Sequence, residues 1–269
     1  MLPPRILAII KAIRWWRYVE KYNEQSGLRD LCRRLIACCG TAVLSGPFKG
    51  LKLTEESLLF SCNMAGLLGS YELELHPWFQ ELQPGDFDQV LDIGAAAGYY
   101  AVGLAVRTGG RVDAYDPSPK ARRICRAVAR LNGVSSLLET HYYCSQSTLL
   151  KLRGRRCFIL SDCEGFEISL FSEDVIRALA KSKIIIELHD GSTPTGTTRA
   201  ILQSRFTLTH KVEFVKFQQR NLQEFSEFGC LRTLGADAQR VISEEGRTDE
   251  GWLIAVPLDK SAEENRPAV

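Results

Sequence analysis

The run Val90-Leu91-Asp92-Ile93-Gly94-Ala95-Ala96-Ala97-Gly98 sets a carboxylate just before a turn made only of glycine and alanine. Small residues let backbone come close to a ligand, and the amides at the start of the helix that follows can face polar ligand atoms. Eighteen residues beyond Gly98, Asp116 closes the apolar run 111–115. An acid at about 20 residues' remove from such a turn is placed to accept both hydroxyls of a ribose. Turn and acid together predict a nucleoside-containing ligand. Two further apolar runs end in titratable groups, Ser161-Asp162-Cys163-Glu164-Gly165-Phe166-Glu167 and Ile186-Glu187-Leu188-His189-Asp190. His189 titrates in the range useful to a general base, or else it is a histidine satisfied by a neighbouring carboxylate. Asp162 and Glu164 can assist it, hold substrate hydroxyls or bind an amino group. Asp162, Glu164 and Asp190 also offer a set of oxygen ligands for Mg²⁺.

The spacing of the small residues narrows the ligand. A dinucleotide fingerprint needs a third small residue where this chain has Tyr99. A carboxylate at Asp92 would repel a pyrophosphate, whereas it can bind the amino group of an aminoacyl tail. Asp92-x-Gly94-x-Ala96-x-Gly98 resembles motif I of the class I S-adenosylmethionine-dependent methyltransferases, with Ala96 in place of the usual middle glycine, a mild departure.

These residues need a frame. Apolar runs at 87–93, 111–115, 137–143, 157–160, 183–188, 208–215 and 252–256 read as strands. Helical patterns lie at 99–107, 119–131, 166–180 and 198–203. Alternation of this kind predicts a Rossmann-like, doubly wound, mostly parallel sheet with helices on both faces. Between the last two strands only one short helical piece, 237–243, is visible, too little for an ordinary crossover, so the final strand is expected to be antiparallel. Helices are expected at 55–65 and 70–82, ahead of the first strand. The organisation that follows is a helical extension or cap over 1–77, a catalytic domain over 78–258 and a tail over 259–269. Within the domain, 217–250 is an insertion expected to act as a lid.

The strand ends carry a closer resemblance. Asp162-x-Glu164-Gly165-x-Glu167, followed by the acid-rich end of the next strand, looks like the FkbM-like branch of the class I methyltransferases. Leu68-Gly69-Ser70-Tyr71-Glu72 is similar to that family's segment preceding motif I. The likeness covers 48–256 but not 1–45 or 217–250. It implies methyl transfer from S-adenosylmethionine, usually to a hydroxyl oxygen of a sugar, lipid or other small molecule. The cofactor would lie against Tyr71, Glu72, Asp92, Gly94, Ala96, Gly98, Asp116, Pro117, Cys144, Ser145 and Asp162. His189, Glu164 and Asp162 would serve catalysis.

Missing motifs point the same way. No strand ends in Asn/Asp-Pro-Pro-Tyr/Phe, and no Pro-Cys dipeptide occurs, which disfavours amide-nitrogen and cytosine-carbon methylation. The alternatives are a nicotinamide-dependent oxidoreductase, opposed by Asp92, Tyr99 and the lack of a Tyr-x-x-x-Lys pair, and a methyltransferase-like module that binds without chemistry.

Composition sets outer bounds. A chain of 269 residues with 45% hydrophobic content can bury a full α/β core. Its nine cysteines include no C-x-x-C pair, as expected of a reduced, cytoplasmic protein. A net charge of +2 gives no general reason to expect nucleic-acid binding. Residues 1–40 are more basic, and 6–13 are apolar but too short to span a membrane. With Trp15 and Trp16 following, residues 1–25 read either as helices packed on the main domain or as a basic helix resting on a membrane surface.

Overall fold

A computed structural model describes residues 4–190, 194, 196–243 and 251–258. Two helices open the chain, α1 (Pro4–Gln25) and α2 (Leu28–Cys39). Where the sequence predicts one helix over 55–65 there are two, α3 (Glu55–Ser61) and α4 (Met64–Leu68). Cys62 in the left-handed region ends the first, and the Asn63 side chain caps the second by accepting the Gly66 amide. The helix predicted over 70–82 is instead a 3₁₀ turn at Leu73–Leu75 leading into α5 (His76–Gln80), and it starts from Glu72 at φ 48°.

The alternation then proceeds as β1 (Gln89–Ile93), α6 (Tyr99–Thr108), β2 (Val112–Tyr115), α7 (Pro119–Leu131), β3 (Leu138–His141), α8 (Gln146–Leu150) and β4 (Cys157–Ser161). Ser118 caps α7, Pro119 occupies its first turn and Gly133 follows its end, so its limits match the sequence reading. The single helix predicted over 166–180 is split into α9 (Glu167–Leu170) and α10 (Glu173–Ala178). After β5 (Lys183–Glu187) come α11 (Thr197–Phe206) and β6 (His210–Lys216). The connection to the last strand is richer than expected, with 3₁₀ turns at Leu222–Phe225 and Gly235–Asp237 and the helices α12 (Gly229–Leu234) and α13 (Ala238–Ile242). β7 (Gly251–Pro257) closes the sheet; 244–250 and the tail 259–269 lie outside the described residues.

The seven strands run in the order β3-β2-β1-β4-β5-β7-β6, with β7 antiparallel to both neighbours and the other pairings parallel. This is the expected Rossmann-like, mostly parallel sheet with an antiparallel final strand. Alternate strand residues feed two cores. Val90, Ala114, Phe158, Leu160 and Ile254 pack with α6, α7 and the amino-terminal helices. Leu91, Ile93, Ile159, Ile184 and Ile186 pack beneath α10 and α11. Register decides where the chemistry emerges. Ile93 lies opposite Tyr115 and Ser161, and Ser161 lies opposite Ile186. Gly94, Asp116, Asp162 and Glu187 therefore leave the sheet side by side at its carboxyl edge, where ligands of open α/β sheets bind.

Candidate functional site

The turn after β1 is held from both sides. Gly94 has φ 94°, and a Cβ there would lie 1.8 Å from the carbonyl oxygen of Asp162, so β4 itself requires a glycine. Ala96 also adopts a left-handed φ, 43°, which for an L-residue costs roughly 1–2 kcal/mol. Its amide donates to Asp116 Oδ2 at 3.0 Å, while the Ser118 amide donates to Asp116 Oδ1 at 2.7 Å. Burial pushes Asp116 up to about 6 against the pull of these two bonds. The ribose acceptor read from the sequence is thus also the clasp of the turn. Pro117 is half-buried beside it.

Asp92 lies beneath the start of α6 and is only 2% exposed. The Ala101 amide favours its charged form, yet its Oδ2 is buried without a hydrogen-bond partner. Burial pushes it up to about 7 against the pull of that amide, and the charges of Asp116 and Glu72 add to the rise. Glu72 is buried as well and accepts the Tyr100 hydroxyl. Tyr71 packs its ring on Tyr99 and Tyr100, with centroids 5.7 and 5.8 Å away. The segment before β1 and the first turn of α6 thus meet over Asp92. Cys144 is buried, its thiol pushed up to about 12 by desolvation, and Ser145 caps α8 in a reciprocal bond with Thr148. Both side chains serve packing or capping here, at the end of β3.

A second group forms where β4 and β5 end. Glu167, 1% exposed in its side chain, takes His189 Nδ1 at 2.8 Å. This leaves Nε2 facing Asp162 Oδ1 at 3.7 Å, Glu164 Oε2 at 3.8 Å and Glu187 Oε1 at 4.0 Å. Burial alone would depress the imidazole. The Glu167 bond and the charges of Asp162, Glu187 and Glu167 outweigh it and push His189 up to about 10. At neutral pH it is an imidazolium, the carboxylate-satisfied form, and it donates instead of accepting. Cys163 alongside is driven well above its usual range by burial and then by the charge of Glu167, so its thiol stays protonated.

The oxygen set offered for Mg²⁺ is not assembled. Asp190 turns away to accept the amides of Gly196 and Thr198 at the start of α11. His189 takes its place beside Asp162 and Glu164, with one donor atom from each within 4.8 Å of the others. What is assembled is a mixed nitrogen–oxygen set and not the all-oxygen set read from the sequence.

Some site contacts had no sequence signal. Arg220 reaches from the connection before β7 to Glu74 at 2.9 Å, both side chains almost fully buried, and its Nε donates to the Ser70 carbonyl at 2.7 Å. Ser70 Oγ donates in turn to the Ile242 carbonyl at 3.1 Å. The described part of 217–250 is thereby tied to the segment that carries Tyr71 and Glu72. Arg34 with Asp237 at 2.8 Å, and Cys38 with Thr233 at 3.3 Å, fasten it to α2. Lys11 of α1 lies over the Phe166 ring, 4.6 Å from its centroid.

No family model matches the sequence, and no curated protein matches it. Solved structures overlap it in part. A human methyltransferase 10 domain containing protein covers 86% of this chain and 97% of its own at 15% identity, with a TM-score of 0.47. A precorrin 8w decarboxylase of Methanobacterium thermoautotrophicum covers 65% and 84% at 16% identity, with a TM-score of 0.41. A geranyl diphosphate C-methyltransferase of Streptomyces coelicolor covers 65% and 73% at 15% identity, with a TM-score of 0.40. Likeness at this level leaves activity and ligand to be argued from the residues.

Proposed function

We propose that the protein is an S-adenosylmethionine-dependent methyltransferase of the FkbM-like kind that methylates a hydroxyl oxygen of a sugar, lipid or other small molecule. The observation that carries this reading is the buried, partnerless Oδ2 of Asp92 beneath the glycine–alanine turn. A buried carboxylate oxygen left without a partner costs about 1–3 kcal/mol, which an incoming ammonium group would offset. The aminoacyl tail of S-adenosylmethionine supplies that group, and Asp116 stands where the ribose hydroxyls would lie. A pyrophosphate would add negative charge beside Asp92, Glu72 and Asp116, which disfavours a nicotinamide dinucleotide.

The bound cofactor would supply its own activated methyl group, so the chain must orient the acceptor, exclude water and take up one proton. His189 is already protonated, and it serves by holding Asp162 and Glu164 in place. Those carboxylates, each within 4 Å of the imidazolium, are the groups that accept a hydroxyl proton. Residues 217–243, fastened to Ser70 and Glu74, support the reading of that connection as a cover over the acceptor side.

Calorimetric titration tests the cofactor. S-adenosylhomocysteine should bind and NAD should not, and Asp116→Ala should lose about 1.5–3 kcal/mol per charged hydrogen bond removed. Binding of NAD alone would install the oxidoreductase instead. Binding of S-adenosylhomocysteine without turnover of any hydroxyl acceptor would favour the non-catalytic module.

A further inference from the structure

The outward face of α1 has no role in the site described above. The helix packs inward through Trp16, whose ring meets Phe60 at 4.2 Å between centroids, through the buried Asn23, and through Glu20, paired with Lys120 at 2.6 Å. At 3.6 residues per turn, Trp15, Tyr18 and Tyr22 share a sector about 60° wide on another side of the helix. They are 44%, 60% and 41% exposed. Their rings form a ladder, with centroids 5.9 Å apart from Trp15 to Tyr18 and 6.2 Å apart from Tyr18 to Tyr22. The neighbouring sector holds Arg14, Arg17 and Lys21, all exposed. Among the described residues none of the three has a carboxylate within 4.0 Å, and the helix's own acids are engaged, Glu20 with Lys120 and Glu24 with Arg29. Ile6 and Ile13, also exposed, lie on the far side of the basic sector and are not part of the aromatic ladder.

We infer that this face of α1 docks on an anionic membrane surface. Two independent features choose that occupant. Tryptophan and tyrosine beside lysine and arginine is the composition that settles at the headgroup level, apolar ring bodies inward and polar tips in water. The unneutralised cationic row is complementary to acidic headgroups, each charge near such a surface adding to the attraction. No described helix is long and apolar enough to cross a membrane, so the helix lies along the surface. Lys11, from the same side as the aromatic ladder, rests over Phe166, two residues beyond Glu164. The docking face therefore adjoins the segment that follows Glu164, and the inference stands independently of the methyl-transfer reading.

Sedimentation of the 269-residue chain with vesicles tests the inference. The protein should pellet with phosphatidylcholine vesicles containing phosphatidylserine at low salt, stay in solution with phosphatidylcholine alone, and be released from the first by high salt. The triple variant Arg14→Glu/Arg17→Glu/Lys21→Glu should lower partitioning about 100-fold. Trp15→Ser/Tyr18→Ser/Tyr22→Ser should lower it at least about tenfold through lost apolar contact. All these positions are exposed, so both variants should melt as the wild type does, which separates lost docking from lost folding. Failure of folded wild-type protein to pellet with the acidic vesicles, or unaltered partitioning of both variants, would overturn the inference. So would a lipid-free dimer that the aromatic variant dissociates, which would give the face to a second copy of the chain.

Discussion

At the end of β1, Asp92 is buried near Glu72 and Asp116, and among the described residues no lysine, arginine or histidine nitrogen comes within 4.0 Å of it. At the ends of β4 and β5, Asp162, Glu164, Glu167 and Glu187 surround the imidazole of His189. Both groups are acidic and leave the same edge of one sheet, yet their charges are balanced differently. The second carries its own cation, and its histidine is pushed up to about 10. In the first it is the carboxyl that moves, Asp92 being pushed up to about 7. On the proposed reading the first group is the receptor for a cationic ligand, and the second, partly compensated by its own imidazolium, orients the acceptor and takes its proton.

A buried ion pair outside both groups allows the contrast to be broken most forcefully. Glu74 is matched to Arg220, and Arg220→Ala would turn it into another uncompensated buried carboxylate. Loss of one partner of a buried pair costs about 3–5 kcal/mol, which urea denaturation should register. Glu74→Leu/Arg220→Met should recover most of that loss. An Arg220→Ala loss below about 1 kcal/mol would show that the pair is not what fastens the 217–243 connection.

Next in size is the effect of His189. Its folded pKa is raised above the ordinary value near 6.5, so its stabilisation is complete below about pH 6.5 and is lost as pH rises through about 10. Wild-type stability should fall across that window, and His189→Gln should show a flatter profile. If a carboxylate takes the acceptor proton, turnover should already be level from about pH 7 upward; a steady rise toward pH 10 would restore the histidine as base. Smallest is Ala96→Gly. Relief of a left-handed alanine, worth roughly 1–2 kcal/mol, is offset by about 0.5–1 kcal/mol of added chain entropy, so stability should rise by about 0–1.5 kcal/mol. A clear loss would mean that the Ala96 methyl contributes packing.

Sequence reasoning reached the sheet and its carboxyl edge because local chemistry marks both. Ser118, Pro119 and Gly133 bracket α7, and the strand ends carry their acids in the open. It missed α8, although Ser145 and Thr148 form a capping box, and it merged α9 with α10, although Ser172 with Glu173 and Asp174 marks a new helix start. Those signals were local and available. Others were not. The pairing of Arg220 with Glu74, of Glu72 with Tyr100, and of Lys11 with Phe166 joins residues far apart in the chain. Periodicity tells which face of an element is buried, not which partner it meets. The same limit hid Asp190, whose place in the sequence suggested a metal ligand while its oxygens hold amides at the start of α11.

Proton release on ligand binding tests the central contrast most directly. An ammonium group seated against Asp92 stabilises the charged carboxylate, so S-adenosylhomocysteine binding near pH 6.5 should expel part of a proton. Calorimetric titration in phosphate and in imidazole, buffers with different heats of ionisation, should therefore give different apparent enthalpies for the wild type and matching ones for Asp92→Asn. Affinity should also rise as pH increases toward 8. Equal enthalpies in both buffers for the wild type, or an Asp92→Asn protein that binds as tightly as the wild type, would contradict the assignment of this acid group as the cofactor's receptor.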